Sequence, residues 1–279
     1  MFDYTMMSTF LTCRRKYKFR MVDNIVPKIP AMAPEFGRCI HKALDNWYKS
    51  KDPNRASDEF KAMYHEELSL DDKRTHQMGE WIIHNYHEKY IDQPFEVLEY
   101  EHEFSIKLPN ECKLIGRMDK LIKWDNVIWV MDHKTTSSLG PQFFKSHTPN
   151  LQFDGYTYAA RKLGYDCKGV LVDAILVAKG LLPGPGKNGN LTPLARDFAY
   201  RTDEQLVIYE QAIQKIQQDI QLCSLNSEYD DAVYYPNYDA CIYYGECPYR
   251  RICIEDKAIW PKIIAQDYET NIWDPHQKS

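Results

Sequence analysis

The segment Val127-Ile-Trp-Val-Met-Asp132-His-Lys134-Thr-Thr136 constrains this chain more than any other. Five apolar residues run without alternation before the first charge, the pattern of a strand buried within a sheet. The two-residue period of a strand puts Asp132 and Lys134 on one face, at the end of that strand. Thirteen residues before Asp132 stands Asp119, in Gly116-Arg117-Met118-Asp119. The β-formers of Phe95–Leu108, Cys112–Trp124 and Val127–Thr136 predict an antiparallel meander, with Asp125-Asn126 as the last turn. If the last two strands pair, Asp119 and Asp132 approach each other. Two carboxylates ~4 Å apart repel by about 4 kcal/mol at an effective dielectric near 20. A divalent cation with hard oxygen ligands is the economical way to hold them there.

The rest of the chain supplies helices around that sheet. Phe36, Ile40, Leu44 and Trp47, then Trp81, Ile82, Tyr86 and Tyr90, recur at helical spacing, so several helices precede any strand. A helix over Leu151–Leu163, a buried strand over Gly169–Ala178, a short strand over Asp197–Arg201 and a helix over Thr202–Leu222 follow. Gly180–Pro193 reads as a loop; its Gly184-Pro-Gly-Lys187-Asn-Gly lacks the ending of a phosphate-binding loop. With 279 residues, 44% of them hydrophobic, the chain can bury an ample core. The expected class is α/β, one integrated domain in three parts. These are a helical region at 1–94, a mixed-sheet core at 95–225 and a cysteine-rich segment at 226–279. No apolar run reaches the ~20 residues of a membrane span, and no secretory leader is visible. The expected setting is soluble, reducing and cytoplasmic, without membrane partners.

Lys134, beside a metal held by the carboxylates, could stabilise charge on a phosphate or help deprotonate a water. His41, four residues after Gly37 at the edge of an apolar stripe, could add an imidazole to the site. Gln152-x-x-x-Tyr156 puts an amide and a phenol one helical turn apart. Each feature alone is ordinary: a surface ion pair, a boundary histidine, helix packing.

Together, the order Gly-x-x-x-His, Gly-x-x-Asp, Asp-x-Lys and Gln-x-x-x-Tyr resembles the RecB-type branch of the PD-(D/E)XK nuclease superfamily, from Gly37 to Tyr156. The resemblance implies a restriction-endonuclease-like fold and hydrolysis of DNA by metal-activated water. It implies Mg2+ or Mn2+ on His41, Asp119, Asp132 and the backbone carbonyl of His133. Lys134 would be base or electrostatic stabiliser, and Gln152 and Tyr156 would shape the site and contact DNA. It also implies single-stranded or frayed DNA ends as substrate and a prokaryotic or viral host. A helicase, a recombination or CRISPR-adaptation partner, or further copies of the chain would be its partners. A catalytically silent DNA-binding subunit of the same fold is the reading from a different class.

Eight cysteines remain to be placed. Cys13 near one end and Cys241, Cys247 and Cys253 near the other resemble the 4Fe-4S arrangement of AddB-type nuclease domains and CRISPR-associated adaptation exonucleases. Four thiolates would also suit zinc, and unligated thiols are the third option. Cys39, Cys112, Cys167 and Cys223 fall in helix or strand patterns and read as core. The net charge is −5, so nucleic-acid contact must rest on local patches. Arg14, Arg15, Lys16, Lys18, Arg20, Arg250 and Arg251 flank the end cysteines, with Tyr17, Phe19, Tyr243, Tyr244 and Tyr249 among them. They could grip phosphates and stack on bases, or merely solvate a helix and balance thiolate charge.

Overall fold

The computed structural model describes residues 1–68, 73–178, 181, 193–226, 231–242 and 245–274. In chain order, α1 (Tyr4–Thr12), α2 (Arg14–Tyr17) and β1 (Ile25–Pro27) lead into α3 (Met32–Ser50), α4 (Pro53–Met63) and α5 (His76–Tyr90). The strands β2 (Phe95–Lys107), β3 (Lys113–Trp124) and β4 (Val127–Thr136) follow, then α6 (Pro141–Lys145) and α7 (Leu151–Lys162). Next come β5 (Cys167–Leu176), β6 (Leu194–Tyr200) and α8 (Asp203–Asn226), and last α9 (Arg250–Ile254), α10 (Trp260–Asp267) and β7 (Tyr268–Thr270). The fold is a mixed α/β one, with a five-stranded sheet in the order β2-β3-β4-β5-β6 flanked by helices. The chain forms two compact units: Ala31–His102 with Met118–Thr202, and Met1–Pro30 with Glu103–Arg117 and Asp203–Lys278.

In the first of these units, β3 and β4 pair antiparallel, with Lys120 opposite Met131 and Trp124 opposite Val127. Asp125 and Asn126 turn the hairpin with φ of 49° and 62°, the left-handed pair a tight hairpin needs and that Asp and Asn tolerate. β4 and β5 run parallel, from Ile128 opposite Cys167 to Thr136 opposite Leu176, and the chain between them passes through α7. Asn150 caps α7 by accepting from the amides of Gln152 and Phe153, which fixes where Gln152 starts the helix. Asp52 caps α4 in the same way, with Pro53 in its first turn.

The core of this unit joins α3, α4 and α5 to the sheet through Phe36, Leu44, Trp47, Phe60, Ile82, Tyr86, Met131 and Leu171. Fully burying each large apolar side chain contributes about 1.5–3 kcal/mol. Two glycines permit the close packing. A Cβ on Gly79 would sit 2.0 Å from the Phe60 ring, and one on Gly37 would sit 2.8 Å from Thr135 Oγ1. Gly37 thus lets α3 approach the end of β4, where the charged residues lie.

In the second unit, β1 pairs antiparallel with β7, Ile25 opposite Thr270, so a strand does precede the helices α3–α5. Three residues ending in proline carry no periodic signal, and the partner lies more than two hundred residues away. Phe19, Ile25, Tyr249, Ile252, Ile263 and Tyr268 pack around this pair. Among the described residues no helix is long and apolar enough to cross a membrane.

Candidate functional site

All of the residues singled out around Asp132 and Lys134 belong to the sheet unit. Continuing the β3–β4 register one step beyond Lys120–Met131 sets Asp119 opposite Asp132, and opposed residues of an antiparallel pair share a face. His41 Nδ1 lies 3.2 Å from Asp119 Oδ2, and that oxygen accepts a long 3.4 Å hydrogen bond from the backbone N–H of His133. Lys134 Nζ stands 2.7 Å from Asp132 Oδ2 and donates to Gln152 Oε1 at 2.9 Å. Gln152 Nε2 in turn donates to the Tyr156 hydroxyl at 2.9 Å. The structure therefore gathers His41 with Asp119, and Asp132 with Lys134, Gln152 and Tyr156, with the His133 backbone between the two groups.

Asp119 and Asp132 are buried, whereas the Lys134 and His41 side chains keep 27% and 22% of their exposure. The two carboxylates are thus shielded from solvent, while the cation and the imidazole beside them reach it. Lys134 is close enough to Asp132 for an ion pair but approaches outside hydrogen-bonding angles, so Asp132 Oδ2 is buried with no hydrogen bond. A buried carboxylate oxygen left this way costs roughly 1–3 kcal/mol or more. One imidazole and two carboxylates are the donor types that hard divalent ions take, and the orphaned oxygen fits such an ion. Among the described residues, no three His, Cys, Asp or Glu side chains converge closely enough to hold a metal as they stand.

The His133 side chain turns to the opposite face of β4, into a buried network that the sequence reading overlooked. Lys120, fully buried, pairs with Asp45 at 2.6 Å and lies 3.1 Å from His133 Nε2. His133 Nδ1 lies 3.1 Å from Asp173 Oδ2, outside hydrogen-bonding alignment. Arg196 Nε binds Asp173 Oδ1 at 3.1 Å, the Tyr86 hydroxyl donates to Asp173, and Tyr86 contacts Tyr48 at 2.7 Å. Burial and then Lys120 push the His133 imidazole below its ordinary value, so it sits there neutral. Burial alone would raise the Asp173 carboxyl, but Arg196 and His133 outweigh it and hold it well below the carboxylate range. An Asp within Leu171-Val-Asp173-Ala-Ile and a Lys within Met118-Asp-Lys120-Leu-Ile were the available signals. His147 was also missed; burial lowers it first, and it feels both Lys134 and Asp132.

The four end cysteines all belong to the other unit, but among the described residues no three of their thiols converge closely enough to hold a metal or cluster as they stand. Cys13 Sγ accepts from the Asn237 amide at 3.3 Å, and the Cys247 amide donates to the Cys241 carbonyl at 2.9 Å. Burial raises the Cys253 thiol; Arg15 opposes the rise, while Cys13, Cys241 and Cys247 add to it, so the four sulfurs feel one another. A cavity of about 360 Å³ opens beside Cys247, lined by Thr12, Lys16, Asn237, Asp239 and Glu246. Most of the flanking cations are engaged internally. Arg14 lies over the Phe10 and Tyr235 rings, Arg15 donates to the Tyr234 carbonyl, and Arg20 donates to the Asn271 carbonyl. Lys18, Arg250 and Arg251 pair with Asp23, Glu246 and Asp267. Of the two readings of these seven cations, their contacts favour the one in which they largely pack and balance their own unit. Tyr17 and Tyr249 are core residues as well; Tyr243, Tyr244 and the loop at 182–192 lie outside the described residues. Cys39, Cys167 and Cys223 are buried as expected, but Cys112, just before β3, is only half-buried.

A mixed sheet whose inner strand ends in Asp-x-Lys, with a second aspartate across the hairpin and a helix-borne amide on the lysine, defines a restriction-endonuclease-like class of protein. Residues 4–254 match the model of the PD-(D/E)XK nuclease superfamily, and the chain belongs to that superfamily. Among curated proteins, none matches the chain.

Proposed function

We propose that this protein is a divalent-metal-dependent DNA nuclease, an exonuclease on single-stranded or frayed ends. The observation that carries the reading is the buried Asp132 oxygen without a hydrogen bond, 2.7 Å from Lys134 and on the same face as Asp119. His41, Asp119, Asp132 and the His133 carbonyl would hold Mg2+ or Mn2+. When bound, the ion supplies positive charge to the scissile phosphate and acidifies a water. Lys134 places its ammonium where charge develops on the phosphate. Gln152 keeps that ammonium from swinging to solvent, because its amide is itself anchored by Tyr156.

Cys13, Cys241, Cys247 and Cys253 would supply the four sulfur donors of a 4Fe-4S cluster. Burial raises both the Cys253 and Cys247 thiols, with Arg15 and Lys16 opposing only part of the rise, so ligation itself would have to supply the thiolate form. A brown, iron-containing protein after anaerobic purification is expected; a colourless one carrying four thiolates on zinc would replace the cluster with a zinc clasp.

The decisive assay offers anaerobically purified protein 5′- and 3′-blocked single and double strands with Mn2+ or Mg2+. Cleavage of single strands from a free end, lost in Lys134→Ala while DNA binding persists, is the expected result. Wild-type protein that binds DNA but cuts none with any divalent metal would make the chain a silent binding subunit instead.

A further inference from the structure

We infer that Asp45, Lys120 and the His133 side chain are positioning residues, a buried strut behind the candidate metal site that holds its ligands in register. This rests on the nuclease reading above and says how the chain prepares that site. Each member is tied to a site residue by the backbone. Asp45 follows His41 by one helical turn on α3, Lys120 is next to Asp119 on β3, and His133 lies between Asp132 and Lys134 on β4. The contacts between them, 2.6 Å from Asp45 to Lys120 and 3.1 Å from Lys120 to His133, therefore brace three elements against one another at the point where the ligands project. Asp173 and Arg196 continue the brace into β5 and β6.

Stability alone does not account for this arrangement. A fully buried lysine–aspartate pair must be desolvated, and apolar residues of similar volume in such a place are commonly neutral or stabilising. Lys120 sits among Met118, Leu121 and Ile122, all fully buried, so a core position was open to an apolar side chain. What an apolar side chain would not supply is directional contact between α3, β3 and β4. Residues that orient metal ligands from behind typically change metal affinity by 10–100-fold when removed.

The test compares wild type with Lys120→Met and with the double variant Lys120→Met/Asp45→Leu. Asp45 borders a cavity of about 190 Å³, which gives a leucine room, and the double variant removes both members of the Lys120–Asp45 pair together. Mn2+ binding is followed by electron paramagnetic resonance titration without DNA, alongside melting temperature and the Mn2+ concentration for half-maximal cleavage. The expected result is a folded double variant that binds Mn2+ at least fivefold more weakly and needs proportionately more Mn2+ to cut. A folded double variant with Mn2+ binding within fivefold of wild type overturns the positioning role. Failure of both variants to fold overturns it too, since the strut would then be a plain structural element. Wild-type protein that neither binds Mn2+ nor cuts DNA would instead refute the nuclease reading and remove the strut's purpose with it.

Discussion

The two faces of β4 meet the same electrostatic problem in opposite ways. Behind the strand, Asp45, Lys120, Asp173 and Arg196 alternate in sign around a neutral His133, and each charge has an opposite neighbour within hydrogen-bonding distance. In front, Asp132 keeps a buried oxygen that no donor satisfies, and Asp119 shares its face. Behind, the charges are locked in pairs at full or near-full burial; in front, the pairing of Asp132 runs through a part-exposed lysine that can move aside for an ion. The largest expected effect separates the two. Asp132→Ala should slow cleavage by at least about 10³-fold, roughly 4 kcal/mol of transition-state stabilisation, while costing under about 1 kcal/mol of stability, because an unsatisfied group is removed. Single-turnover cleavage and urea unfolding measure the two sides; a large stability loss would mean that the front face is scaffold as well.

Asp173→Ala is the mirror experiment. It leaves Arg196 buried with its partner gone, and breaking such a pair costs about 3–5 kcal/mol. Urea midpoints should fall accordingly, and a loss below about 1 kcal/mol would show that the rear network is not the scaffold its geometry makes it.

Acid should reach the rear face through His133. The folded value of His133 is depressed below 6.5, so its contribution to stability is complete above that pH and is lost as pH falls below it. The slope is at most about 1.4 kcal/mol per pH unit, one proton's worth. Asp173 is depressed as well, below 3.8, so its contribution persists through that range and fails only under stronger acid. Unfolding free energies at pH 8, 6.5 and 5 should therefore fall between the last two. A flat profile would mean that the fold leaves the His133 imidazole at its ordinary value.

The difference between the faces also explains what the sequence could disclose. Asp132, Lys134, Gln152 and Tyr156 were legible because a strand period and a helical turn place them by local spacing alone. The β3–β4 hairpin announced itself through Asp125-Asn126, and its strand Val127–Thr136 was read to the residue. The rear network was not legible, because its members are drawn from α3, β3, β4, β5 and β6 and meet only across the sheet. Lys120 looks like one more alternating residue until Asp45 is seen beneath it. The cations beside Cys13 left two readings open for the same reason: their run is local, but the carbonyls, rings and carboxylates that engage them include residues some two hundred positions downstream.

The smallest effect tests how far the front face depends on orientation rather than charge. Tyr156→Phe keeps the ring and removes only the hydroxyl that accepts from Gln152 Nε2. Gln152 would then hold Lys134 with one end free, a loss of about 1 kcal/mol for one neutral hydrogen bond. Cleavage at saturating metal should slow about five- to tenfold, with melting temperature and Mn2+ half-saturation unchanged, since no candidate metal ligand is touched. If Tyr156 acts only through Gln152, adding Tyr156→Phe to Gln152→Ala should cost nothing further, because the coupled pair is already broken. Additive losses would give the hydroxyl a role of its own, apart from Gln152.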